Sequence, residues 1–222
     1  YGAMPLARTM DKLGPIARNV EDCAAILHAI HGPDGNDPTV ADVPFNWRPN
    51  ADVKSLRVGW TLGGYTWDDP FYKKNAQLLK LHQAAHDRLE SIVGKLVPMT
   101  LPPADDYAGL AGLTIACESA SSFTELVNSG DVRNLRQQDR GSWPNTFRSG
   151  ALIPASDYLR AQQTRTQLQR AMAEVFKHID VYVTIPYVGP TIAFTNLTGH
   201  PSLVSRVGLI NGRPKMIEFV GN

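Results

Sequence analysis

DVYVTIPYVGPTIAFTNLTGHPSLV, residues 180–204, decides the fold. Val181, Val183 and Ile185 are β-branched and stand among Ile179, Tyr182 and Thr184. The run lacks the polar alternation of a half-exposed strand, so it predicts a central, buried strand over 180–185. Pro186, Gly189 and Pro190 bound it. Thr191, Thr195, Asn196, Thr198 and His200 then predict a polar loop, with residues 194–198 facing a ligand. Loops leaving the ends of buried strands are where α/β sheets place ligand-binding groups. Leu203 and Val204, continuing to Val207, predict a further strand.

The chain ahead of this stretch interleaves helices with short apolar runs. Asn19 is a helix N-cap with Glu21 and Asp22 in the first turn, and Val20, Cys23, Ala24, Leu27 and Ile30 recur at helical spacing. Gly32 and Pro33 end that helix. His28 and His31 lie near its C-terminus, where positive charge is favoured, and read as helix-end residues rather than catalysts. Asp34, Asn36 and Asp37 read as Asx-type turns, because the run lacks the alternating oxygen ligands and final Glu of a calcium loop. Leu56, Val58 and Trp60 alternate with Arg57 and Gly59, which predicts a half-buried strand.

One helix is predicted over residues 70–93, with Pro70 in its first turn and Leu78, Leu81, Ala85, Leu89 and Ile92 as its apolar stripe. His82 and His86 share a face of it, but Gln83 stands where the zinc-protease motif needs Glu, so no metal is assigned. A short strand is predicted over 96–101, and a helix from Asp105 or Asp106 to about residue 128. Glu118 lies among Ile115, Ala116, Cys117 and Ala120. A carboxylate in such a setting is either a partnered core charge or a pocket residue. Residues 130–144 read as a polar connection, with solvated charges at Arg133, Arg136 and Arg140, and a long helix follows to about residue 178. The order predicts an α/β fold, a mixed β-sheet with helices on both faces.

Composition bounds the function. The 222 residues are 43% hydrophobic and 19% charged, enough apolar content for a real core. A net charge of +1 gives no bias toward nucleic acid or an anionic membrane. No apolar run approaches the roughly 18 residues of a membrane-spanning helix. Cys23 and Cys117, the only cysteines, are expected to be two buried thiols rather than a disulfide, which favours a reducing, cytoplasmic compartment. The chain opens at Tyr1 rather than Met, so the missing leader peptide carries no weight. No G-x-S-x-G elbow, Walker loop or G-x-G-x-x-G occurs. By its residues alone the chain holds no self-sufficient catalytic constellation.

Several stretches carry a resemblance. FTNLTGHPSLV at residues 194–204, with GRP at 212–214 and EFVG at 218–221, resembles the C-terminal signature of amidase-signature hydrolases. Tyr1-Gly2 looks like the end of that family's K-P-T-Y-G segment, just past its nucleophile. LGPIARNVED, residues 13–22, resembles the stretch before the family's next helix. Gly32-Pro33-Asp34 with Asp37-Pro38 resembles the acidic turn after that helix, and residues 154–165 resemble the helix written dYL-A-…-R. The middle, from about residue 60 to 143, matches loosely, chiefly at residues 118–122.

The resemblance implies an enzyme that cleaves carboxamides through a Ser–Ser–Lys triad, without metal or organic cofactor. The triad belongs to an N-terminal Gly/Ser-rich stretch with no counterpart here. Ser119, Ser121 and Ser122 fall where the family has a helix. Residues 1–222 are therefore expected to be the C-terminal portion of a single amidase domain, inactive alone. The resemblance implicates Glu118, Thr195, Asn196 and Thr198 in the wall of the pocket for a small-molecule amide; the other reading is hydrogen bonds that merely shape the loop. Alternatives are the A subunit of a tRNA-dependent amidotransferase, which needs partner subunits, and a non-catalytic scaffold on the same half-fold. The fragment by itself is expected to dimerise, aggregate or need its N-terminal segment. Two departures stand out. Ser205-Arg206 replaces an apolar residue and Pro, and Glu218 stands where Gln is common. Two readings of Arg206 and Glu218 stand: a pair across neighbouring strands, or marks of a divergent or non-catalytic member.

Overall fold

The structure, a computed structural model, describes residues 2–222. Tyr1, half of the Tyr1-Gly2 pair likened to the segment after the nucleophile, lies outside the described residues. A five-stranded mixed sheet organises the chain. Its strands are β1 (Val58–Trp60), β2 (Leu96–Pro98), β3 (Val181–Thr184), β4 (Ser202–Ile210) and β5 (Arg213–Gly221), in the order β2-β1-β3-β5-β4. The run at 180–185 supplies the middle strand, as its composition predicts. β1 pairs in parallel with β2 and β3, while β5 runs antiparallel to β3 and β4. Tyr182, Val183 and Thr184 are fully buried.

Helices cover both faces, as expected for α/β. On one side α3 (Ala76–Val93) packs Leu78 and Leu89 against Val58, Trp60, Val183 and Ile217. On the other, α4 (Leu110–Ser122), α7 (Ala155–Phe176) and α8 (Thr191–Thr198) bring Leu110, Leu168, Met172, Phe194 and Leu197 onto Tyr182 and Val220. α1 (Val20–Ile30) starts at Asn19, whose side chain accepts the Asp22 amide at 2.7 Å. Of its residues only Ala24 is buried; Val20, Ile26 and Ile30 face solvent, beside Ile16 at 99% exposure. The whole chain exposes 14527 Å². A compact protein of 24.3 kDa exposes about 10,000 Å².

Several expectations need correction. β1 is buried throughout, not half-buried. Gly59 reads as an exposed position but sits against Met99, Ile179 and Tyr182, where a Cβ would stand 2.6 Å from the Met99 sulfur and force that side chain to move. The helix expected over 70–93 is two helices, α2 (Pro70–Lys73) and α3. Asn75 breaks it by donating from its side chain to the Phe71 carbonyl at 2.8 Å, in competition with the helical ladder. The helix expected over 105–128 is a 3₁₀ turn at Ala104–Tyr107, then α4, then α5 (Thr124–Asn128), because Gly109 takes a left-handed conformation and resets the chain. The connection at 130–144 contains a 3₁₀ turn at Asp131–Asn134, and α6 (Trp143–Gly150) begins within it. The loop expected over 191–198 is helix α8.

Arg206 lies opposite Met216, whereas Glu218 lies opposite Val204 and Thr184, so no Arg206–Glu218 ion pair forms among the described residues. Other readings agree with the fold. Cys23 and Cys117 are free, as expected, but half-buried rather than buried. The Asp34 and Asp37 carboxylates accept the Asn36 and Thr39 amides, each at 2.9 Å, which are Asx turns. His82 is buried and its Nδ1 meets the Tyr72 hydroxyl at 2.9 Å, while the His86 ring stands edge-on to Trp60. No helix among the described residues is long and apolar enough to cross a membrane.

Candidate functional site

Three of the four residues singled out from the sequence converge on the segment at residues 6–12. This segment is a tight turn. The Asp11 carboxylate accepts the Leu6 amide at 2.7 Å and the Ala7 amide at 3.0 Å, and the Met10 and Asp11 amides both return to the Ala7 carbonyl. Ala7 and Met10 insert into the core beside Leu110, Ala161 and Leu168. The polar residues between and after them are then held by α4, α7 and α8.

Glu118 is 8% exposed, and all its visible hydrogen bonding serves this clasp. Its carboxylate accepts the Thr9 amide at 2.9 Å, the Thr9 hydroxyl at 2.6 Å and the Tyr158 hydroxyl at 2.9 Å. A buried carboxylate with three donors is compensated for its lost hydration. The Tyr158 hydroxyl responds in turn: burial, then its bond to Glu118, push its pKa up to about 12. Arg165, two turns further along α7, grips the same segment. It donates to the Thr9 carbonyl at 2.8 Å, to the Thr9 hydroxyl, and through Nε to the Leu197 carbonyl of α8.

Lys12 completes the clasp on α8. Its Nζ donates to the Thr195 carbonyl at 2.8 Å and the Asn196 Oδ1 at 3.3 Å. Burial lowers the Lys12 pKa, and the charge of Glu218 works against that shift. Glu218 itself is 3% exposed, and burial raises its pKa, opposed by the Ser202 hydroxyl and Lys12.

Thr195 and Thr198 turn their hydroxyls back on their own helix, to the Ile192 carbonyl at 3.2 Å and the Phe194 carbonyl at 2.7 Å. Thr198 also meets Nδ1 of His200 at 2.6 Å. His200 stacks on Phe176, and burial, then the charge of Lys12, lower its pKa. Thr198 therefore stands apart from the clasp. Asn196 keeps a side-chain NH₂ with no acceptor among the described residues. Sequence reasoning missed Thr9, Lys12, Tyr158 and Arg165. Two of them carry a signal: Tyr158 and Arg165 are the tyrosine and arginine of the stretch likened to dYL-A-…-R, and Arg165 is a cation on the otherwise inward-leaning face of α7.

Comparison with known proteins places the chain in a family. A family model described as Amidase matches residues 1–207. The chain belongs to the amidase family. An amidase from Pseudomonas putida is 32% identical over 199 residues, which cover 83% of this chain and 39% of that protein. The A subunit of glutamyl-tRNA(Gln) amidotransferase from Akkermansia muciniphila is 31% identical over 217 residues, covering 86% of this chain and 45% of that protein. The solved peptide amidase from Stenotrophomonas maltophilia superposes on all of this chain with a TM-score of 0.72 at 22% identity, over 52% of its own chain. At that identity the likeness shows the fold. The chain spans about half the length of these amidase-family relatives. Amidase-family proteins are enzymes of C–N bond hydrolysis, and the five-stranded sheet with its two helical layers is part of their fold.

Proposed function

We propose that the whole protein hydrolyses carboxamide C–N bonds by serine acyl transfer, and that this chain is the C-terminal part of its single domain. The observation that carries the reading is the family match, continuous from residue 1 to residue 207. The half-length coverage of the relatives supports a further N-terminal portion with the nucleophile. So does the uncovered surface around Ile16 and α1.

In this reading a serine outside the chain attacks the amide carbon, and a Lys–Ser pair takes its proton. Backbone amides stabilise the oxyanion, the amine leaves with a proton, and water releases the acid from the acyl-enzyme. No metal or organic cofactor is required. The chain's own contribution is mechanical. The segment at 6–12 follows the stretch likened to the one just past the nucleophile, and Glu118, Tyr158, Arg165 and Lys12 fix it to three helices. Holding reacting groups in place is a large part of catalysis. We assign Glu118 to positioning, Thr195 and Thr198 to the shape of the wall, and Asn196 to substrate contact through its remaining NH₂. Two free cysteines support a cytoplasmic setting.

A second reading is favoured by one observation, the 31% identity to an amidotransferase A subunit. Such a protein would act with partner subunits. The test is hydrolysis of aryl and aliphatic amides by the purified complete protein. Turnover without added subunits supports the amidase reading. Turnover appearing only with amidotransferase partners and tRNA supports the second, and none under either condition leaves a binding scaffold.

A further inference from the structure

β1 and β3 are parallel neighbours, so their carboxyl ends lie at the same edge of the sheet. The loops that leave those ends touch each other through two glycines. Gly63 has φ 64° and Gly189 has φ 67°. A Cβ on Gly189 would stand 2.1 Å from the Gly63 carbonyl oxygen, and one on Gly63 would stand 2.6 Å from the Val188 oxygen. Val188 packs against the core on the α3 side and its amide returns to the Ile185 carbonyl at 3.3 Å. Pro186 and Pro190 restrict the backbone on either side. The loop is therefore fastened at its middle and stiffened at both ends.

Tyr187 sits in this fastened loop at φ 62°, with 82% of its surface exposed. A left-handed backbone is costly for a bulky side chain. Here no burial of the ring offsets that cost within the chain. On the adjoining loop Tyr65 is 39% exposed and leans on Phe71, ring centroids 5.6 Å apart. Two locked loops thus each present a tyrosine at the carboxyl ends of parallel strands, where α/β sheets hold ligands. Strain kept in a rigid loop points to function when nothing in the packing offsets it.

We propose that Tyr187 contacts substrate and selects amides whose acyl group is aromatic, with Tyr65 on the neighbouring loop extending the same apolar wall. The proposal rests on the amide-hydrolase reading. A tyrosine ring offers a flat face for stacking and, held on a rigid loop, loses little freedom on binding.

The experiment uses the complete protein as wild type, Tyr187→Phe and Tyr187→Gly. Steady-state kinetics with benzamide and acetamide are measured beside the binding of benzoate by calorimetry and the thermal midpoint. Tyr187→Gly is expected to raise the benzamide KM and weaken benzoate about ten-fold. It should leave the acetamide KM within roughly two-fold and raise the thermal midpoint by relieving the strained φ. Tyr187→Phe should stay within roughly two-fold of wild type throughout. An equal effect on both amides, no effect on either ligand, or a lowered midpoint showing that the ring packs against another part of the protein would overturn the proposal. If the wild type hydrolyses no amide yet benzoate binding still drops in Tyr187→Gly, the contact stands and the hydrolase reading fails.

Discussion

Replacing Glu118 with alanine should loosen the segment at 6–12 before it disturbs the sheet. Three donors end on this carboxylate, at 2.9, 2.6 and 2.9 Å. Hydrogen bonds to a charged group contribute about 1.5–3 kcal/mol each, and a buried donor left unpaired costs about 1–3 kcal/mol. The contributions do not simply add. The Thr9 hydroxyl can rotate toward water, and removing a buried charge restores part of its desolvation. The backbone amide of Thr9, part-buried in its bond to Glu118, has no second acceptor among the described residues. A net loss of about 2–4 kcal/mol is expected for Glu118→Ala, and about 1 kcal/mol for Tyr158→Phe, which removes one donor and strands nothing. Denaturant unfolding of the complete protein gives the total, and hydrogen exchange at the Thr9 amide gives the local opening. A Glu118→Ala protein within about 0.5 kcal/mol of wild type, with Thr9 exchange unchanged, would refute the clasp.

Other perturbations test other parts of the structure. Burial, then the charge of Lys215, lower the His82 pKa to about 4. The unfolded chain thus binds the proton first as pH falls, and stability should drop from about pH 6.5 toward pH 4, by on the order of 3 kcal/mol. His82→Gln should flatten that part of the stability profile, and an unchanged slope would assign it to other groups. Gly189→Ala should cost about 2–4 kcal/mol, because the methyl meets a backbone oxygen and φ is positive. Thermal unfolding of the variant checks this. The 222-residue chain alone should self-associate, given its excess exposed surface. A compact monomer in sedimentation, with no binding of a hydrophobic dye, would contradict that.

The sheet was legible where composition has one physical meaning. A β-branched run between prolines and glycines, as at 180–185, packs on both faces or not at all. The long helix α7 was equally legible from its spacing. The missed helices had signals that polarity concealed. Pro190 and Gly199 bracket α8 as a start and a stop, yet its threonines read as loop because their hydroxyls look solvated; in the fold they bond their own helix. Ser142 before Trp143-Pro144 marks the start of α6 in the same way. Asn211-Gly212, both at positive φ, turns β4 into β5 and is among the strongest hairpin signals a sequence carries. At the site, Glu118 was legible as a carboxylate needing partners. The partners were not, because Thr9 is 109 positions away and Tyr158 is 40, and no local pattern encodes contacts at that range.

The most direct test is to find where the acyl group goes. The complete protein is treated with a serine-directed fluorophosphonate, digested, and the labelled peptide identified by mass spectrometry, with loss of amide hydrolysis followed in parallel. The expected result is one label, stoichiometric with lost activity, on a serine outside residues 1–222, and no label on this chain when it is treated alone. A stoichiometric label on Ser119, Ser121, Ser122 or any other serine within these residues would place the nucleophile in this chain and contradict its role as the supporting half of the enzyme.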